Sequence, residues 1–167
     1  MKKSQKRLGN KGFSLVELIV VIAIMAVLVG VLAPTLIRNV EKSRESTDLQ
    51  NLDSIRTSVT TALSTENVAK NLPAKDEYAI IKYDGSAKTL TDASHASLAS
   101  ALQTEMTSDS SMGTTLKSSA ASKCTIYIIV DSNGKATVGA YETAPTSSNY
   151  TTSAADCKRN TGKLISD

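Results

Sequence analysis

The stretch Lys11-Gly12-Phe13-Ser14-Leu15-Val16-Glu17-Leu18, with the apolar run behind it, decides how this chain folds. From Leu18 to Ile37 there are twenty residues and no formal charge. A hydrocarbon core of about 30 Å is crossed by about 20 helical residues at 1.5 Å each, so residues 13–37 have the length of a membrane span. The segment is rich in Val, Ile, Leu and Ala and apolar all round, which calls for burial on every face, in lipid or in protein. Glu17 stands at the head of the run, where an ionised carboxylate costs about 2.5–3.5 kcal/mol on insertion scales. It is read either as a snorkelling interfacial carboxylate or as one waiting for a partner charge.

Ahead of the run, residues 1–12 are polar and basic, with Lys2, Lys3, Lys6, Arg7 and Lys11 and no acid. A secretory signal peptide has a shorter apolar stretch followed by a small-residue cleavage site. Here the run is too long, and Ala33-Pro34-Thr35 is a poor site because proline follows the alanine. The small residue, Gly12, lies before the run instead. The formal charge of +3 depends on this leader. Without it the chain holds 14 basic and 16 acidic residues, a net −2, which gives no reason to expect nucleic-acid binding.

Beyond Ile37 the pattern stays helical while turning polar. Ile37, Val40, Leu49, Leu52, Ile55, Val59 and Leu63 recur largely at steps of three and four, with Ile37 and Ile55 on one face. The mixed charges from Glu41 to Asp48 interrupt that stripe and read as a solvated or subunit-facing segment. A helix from about Phe13 to about Ser64 would be about 78 Å long, too long to bury in so small a domain, so its first half is expected to project. Asn67 to Ala74 reads as a loop. Glu77 to Tyr83 is a strand candidate ended by Asp84-Gly85. Thr91 or Asp92 is placed to cap a helix running to about Met106, and Ser108 to Ser122 reads as a flexible loop. The strongest β signal is Lys123 to Val130, followed by Asp131-Ser132-Asn133-Gly134 and then Lys135 to Glu142, two strands around an Asn-Gly turn. Residues 143–167 read as an irregular tail. With five Tyr, one Phe and no Trp, each buried side chain contributes little area, so the soluble part must be small or reinforced.

The junction Lys11-Gly12-Phe13-Ser14-Leu15-Val16-Glu17 and the run after it resemble the type IV pilin signature, over about residues 8–37. The resemblance implies an α+β type IV pilin fold, in which a long N-terminal helix, kinked near Pro34, packs its C-terminal half on a small antiparallel sheet. It divides the chain into a leader (1–12), a transmembrane and filament-core helix (13–37), and an amphipathic half-helix with its globular head (38–167). It implies cleavage between Gly12 and Phe13 by a prepilin peptidase. It further implies N-methylation of the new Phe13 amine, and pairing of Glu17 with the amine of an adjacent subunit as chains polymerise. The partners implied are further copies of the chain, the peptidase and methylase, the inner-membrane assembly machinery, and the membrane before assembly. No cofactor is implied. Pro34 cannot donate to the carbonyl of Gly30. The pair marks either an ordinary membrane kink or a place where the helix stretches when packed in a filament.

Cys124 and Cys157, both far from the apolar run, resemble the C-terminal disulfide loop of many pilins; two free thiols are the alternative. His95 is the only histidine and reads as a solvent-exposed helix residue; its spacing to the cysteines does not support a zinc site. Three functions compete. The first is a pilus subunit for adhesion, motility or biofilm formation, at the cell surface after assembly. The second is a pseudopilin of a type II secretion or competence machine. The third is a monomeric membrane-anchored binding module. No catalytic constellation favours an enzyme.

Overall fold

The computed structural model describes residues 12–107 and 115–146, together with the backbone of three short strands near the C-terminus. Contacts divide the chain into two compact units, Met1–Asn39 and Val40–Asp167. The first helix, α1, runs Leu15–Leu63 and continues through Gly30 and Pro34. In the first unit its large apolar side chains, from Leu15 to Ile37, are each at least half exposed.

In the second unit α1 becomes one-faced. Leu52, Ile55, Val59, Ala62 and Leu63 are buried at helical spacing. They pack in a single core with the inward side chains of an antiparallel sheet. Its strands are β1 (Tyr78–Asp84), β2 (Thr89–Thr91), β3 (Thr125–Asp131) and β4 (Ala136–Tyr141). The order is β2-β1-β3-β4, and the short β7 (Ile165–Ser166) pairs on the outside of β4. Two further strands, β5 (Lys158–Arg159) and β6 (Gly162–Lys163), pair with each other. The alternation of β1 and β3 is legible in their burial: Ala79, Ile81 and Tyr83, then Ile126, Ile128 and Val130, face the core. Helix α3 (Ala96–Met106) adds Leu98, Ala99, Ala101, Leu102 and Met106 to the same core. It also closes an edge: the Leu90 amide on β2 donates to Gln103 Oε1 at 3.1 Å. The many core alanines (Ala62, Ala79, Ala99, Ala101, Ala121, Ala136, Ala140) leave little bulk between layers.

The opposite face of the sheet carries a second cluster. Ile129 and Tyr141 are each 2% exposed, with Tyr78, Ile80 and Tyr127 packed against them. Tyr127 and Tyr141 meet edge to face, 5.9 Å between centroids at 83°. Gly139, opposite Tyr127 on β4, makes room for this. A Cβ there would stand 2.7 Å from Tyr141 Cε2.

Several expectations need correction. The block Glu41 to Asp48 is solvated only in part: Lys42, Ser43, Arg44, Ser46 and Thr47 are exposed, but Glu45 and Asp48 are buried, Asp48 completely. Asp48 accepts the Lys117 amide at 2.9 and 3.1 Å and the Ser118 amide at 2.7 Å, and Glu41 accepts the Ser119 amide. These bonds seat residues 117–119 on α1, so the C-terminal end of the expected flexible loop is instead held, and forms a 3₁₀ turn at Ser119–Ala121. The part expected at 108–114 lies outside the described residues. The loop expected at Asn67 to Ala74 holds from Lys70 on, but its first three residues belong to a short helix, α2 (Glu66–Ala69). Residues 89–91 form a strand, so α3 starts later than Thr91 or Asp92 allows.

His95 sits at the N-cap of α3 and is half-buried, not an exposed helix residue. Its Nδ1 lies 3.4 Å from Asp92 Oδ2, while Asp92 Oδ1 accepts the Ser94 and His95 amides. The β3–β4 hairpin is present, but Asn133-Gly134 is not a two-residue turn. The Gly134 amide donates to the Asp131 carbonyl and the Asp131 amide to the Lys135 carbonyl, with Gly134 at φ 76. That is a type I turn closed by a glycine bulge. The expected irregular tail includes backbone pairing at β5, β6 and β7.

Asp48 accepts two backbone amides at a fully buried position. Asp48→Asn, which loses one acceptor oxygen and the charge, is expected to destabilise the protein by about 2–3 kcal/mol, read from denaturant unfolding in detergent.

Candidate processing and assembly site

Gly12, Phe13 and Ser14 lie outside α1 in non-helical backbone. Gly12 has no atom within 4 Å of the place a Cβ would take, and Phe13 is 90% exposed. The Gly12–Phe13 peptide is therefore open to approach. Leu15 is the first helical residue, which places Ser14 at the N-cap.

Glu17 does not stand unpartnered at this end. Its Oε2 accepts the Ser14 amide at 2.9 Å. The Ser14 hydroxyl in turn accepts the Val16 amide at 3.4 Å, and the Ser14 carbonyl takes the first intrahelical bond, from Leu18 at 3.2 Å. A serine followed three residues later by a glutamate is the spacing of a capping box, in which side chains answer the amides that a helix start leaves unbonded. That spacing is visible in the sequence, and reading Glu17 only as a costly charge passes over it. Ser14 is thus the site residue that sequence reasoning missed. A carboxylate at a helix N-terminus also lies at the positive end of the macrodipole.

By length and composition α1 can cross a membrane, and none of its most apolar window is buried. Gly30 faces open space. Cys124 lies just before β3, half-buried and packed against the core; Cys157 lies outside the described residues. Among the described residues, no group of three His, Cys, Asp or Glu side chains is placed to hold a metal ion.

Residues 7–33 match the family described as the prokaryotic N-terminal methylation motif. No curated protein matches the chain, and no solved structure does. The matched segment contains the Gly12–Phe13 junction, the capping pair and most of the exposed apolar helix. Residues 7–33, which include the first part of α1, thus carry the N-terminal methylation motif, the class III signal sequence of type IV pilin-like proteins, and the later part of the same helix packs on a small antiparallel sheet in a type IV pilin-like architecture.

Proposed function

We propose that the chain is a structural subunit of a type IV pilus. It enters the membrane through residues 13–37 with its basic leader on the cytoplasmic side, as the positive-inside rule favours. A prepilin peptidase hydrolyses the Gly12–Phe13 bond and the freed Phe13 amine is N-methylated. Mature chains then polymerise through α1 into a surface filament for adhesion, motility or biofilm formation, with the assembly machinery of the inner membrane. The chain is the substrate of these steps and supplies no catalytic group. The observation that carries the reading is the methylation motif reaching onto a helix whose large apolar side chains from Leu15 to Ile37 are all exposed. Such a surface needs lipid first and neighbouring helices afterwards. A head-to-tail contact that does not close generates a fibre.

Glu17 receives the amine of an adjacent subunit in the filament. A wrong stagger leaves both charges unpaired in low dielectric, so the pair imposes register. Gly30 and Pro34 are where α1 yields when packed, since glycine and proline weaken a helix by about 1 and 3 kcal/mol relative to alanine. Cys124 and Cys157 form a disulfide in the exported head. Support comes from Cys124's place beside β3 and from the lack of a free cysteine thiol among the described residues.

Mass analysis of the mature N-terminus is expected to find a chain beginning at methylated Phe13. An intact leader would instead favour a membrane-anchored module. The motif is shared by pilins and pseudopilins, and filaments on the cell surface containing this chain separate the first from the second. Glu17→Ala is expected to lower filament number at least tenfold while the chain stays in the carbonate-resistant membrane fraction; wild-type filaments from that variant would sink the register argument. A thiol probe is expected to label Cys124 and Cys157 only after reduction. Breaking the bond is expected to remove about 3.5–4 kcal/mol of stability by the chain-entropy relation.

A further inference from the structure

Of the chain's asparagines, Asn133 alone is followed by glycine. Asparagine is a chemically labile residue, and a glycine after it brings no Cβ to screen its own backbone nitrogen. In such a pair the glycine nitrogen can attack the asparagine Cγ. The new N–C bond closes a five-membered succinimide. The Cγ–Nδ2 bond breaks, and Nδ2 leaves as ammonia with the hydrogen of the glycine amide. Water then opens the ring at either carbonyl, leaving aspartate or isoaspartate. Water is the one co-reactant, and nothing is oxidised or reduced.

We propose that Asn133-Gly134 is a self-modification site kept shut by the β3–β4 turn, and that Asp131 is the residue that keeps it shut. The Gly134 amide, whose nitrogen is the nucleophile, donates to the Asp131 carbonyl at 3.0 Å. Asp131 Oδ1 accepts the amides on either side of it, those of Asn133 and Lys135, each at 2.8 Å. The Asp131 amide closes the turn on the Lys135 carbonyl at 3.1 Å. Asp131 thus engages the main chain of residues 133, 134 and 135 at once. To reach Asn133 Cγ, the Gly134 nitrogen must leave the carbonyl it faces, and its two neighbours resist that turn. The strands behind it are firmly placed, since the last β3–β4 pair, Val130 and Ala136, is buried. Gly134 also lies beside Leu72, which packs against the core; a Cβ on Gly134 would stand 3.8 Å from Leu72 Cδ1. Asn133 itself is exposed, so water has access to it. Hydrogen bonding, not burial, is the guard. Local opening of the hairpin releases the guard. The product does not revert, because the ammonia is lost, so the state of residue 133 records the time the turn has spent open.

The test incubates the full-length chain in detergent micelles at mildly alkaline pH. Samples are then reduced and cut with trypsin, and the peptide 124–135 is followed by mass spectrometry, with fragmentation placing the change at residue 133. The native chain is expected to convert Asn133 about tenfold or more slowly than the same chain unfolded in guanidinium. Equal rates in the two states overturn the proposal. Asp131→Ala is expected to raise the rate in the folded chain roughly fivefold or more, having lost two hydrogen bonds. Asp131→Asn keeps a side-chain oxygen acceptor and is expected to convert more slowly than Asp131→Ala. An Asp131→Ala chain that converts as slowly as the native one, or an Asp131→Asn chain that converts as fast as Asp131→Ala, overturns the role of Asp131. Circular dichroism reports whether each variant is folded. Where Asp131→Ala is not, hydrogen exchange at the Gly134 amide of the native chain decides. Exchange about tenfold or more slower than in the unfolded chain upholds the guard, and exchange at the unfolded rate overturns it.

Discussion

Glu41, Glu45 and Asp48 recur at steps of four and three, on the face of α1 that the core helix later uses for Leu52, Ile55 and Val59. Asp48 is fully buried, and it is paired with amide hydrogens of residues 69 and 70 positions further along the chain. The head depends on that pairing. A buried carboxylate without donors would be among the most unfavourable groups in the core, and three N–H bonds from two residues make it tolerable. The same bonds hold residues 117–119 against the helix and bring the chain to Cys124 and the start of β3. The central strand of the sheet is thus entered from a point fixed on α1.

The two clusters divide the scarce aromatic residues unevenly. The core between sheet and helices contains Tyr83 and many alanines, while Tyr78, Tyr127 and Tyr141 gather on the other face. Small side chains let the helices come close to the sheet, which increases dispersion contacts per residue without large rings. The tyrosines bring large apolar area to the second face, and Gly139 gives up its own side chain so that Tyr141 can lie across it. This arrangement answers how a chain with few aromatics covers both faces of one sheet.

The sequence shows best whatever depends on near neighbours. The charge-free run, the 3–4 spacing of Leu52, Ile55, Val59 and Leu63, and the alternation of Ile126, Ile128 and Val130 are local patterns, and the elements match them. The S-x-x-E spacing of Ser14 and Glu17 was legible for the same reason to a reader looking for helix starts. What was illegible depends on distant partners. Nothing near Asp48 announces that amides at 117 and 118 will reach it, so a row of mixed charges reads as solvent-facing. β2 has only three residues and shows no alternation of its own; pairing with β1 and the Gln103 contact define it. His95 read as exposed because the turn that half-buries it is built by Asp92, a residue also plausible as a helix cap.

The seat of residues 117–119 is made from amide hydrogens alone. Asp48 and Glu41 recognise groups that every residue except proline possesses. Ser118 is buried and constrained in size, but Lys117 and Ser119 are exposed. Positions 117 and 119 can therefore exchange charge, size and polarity without unseating the segment. The surface beside the first helix is free to drift in chemistry while the backbone beneath it keeps one course, a separation between what a neighbour meets and what the fold requires.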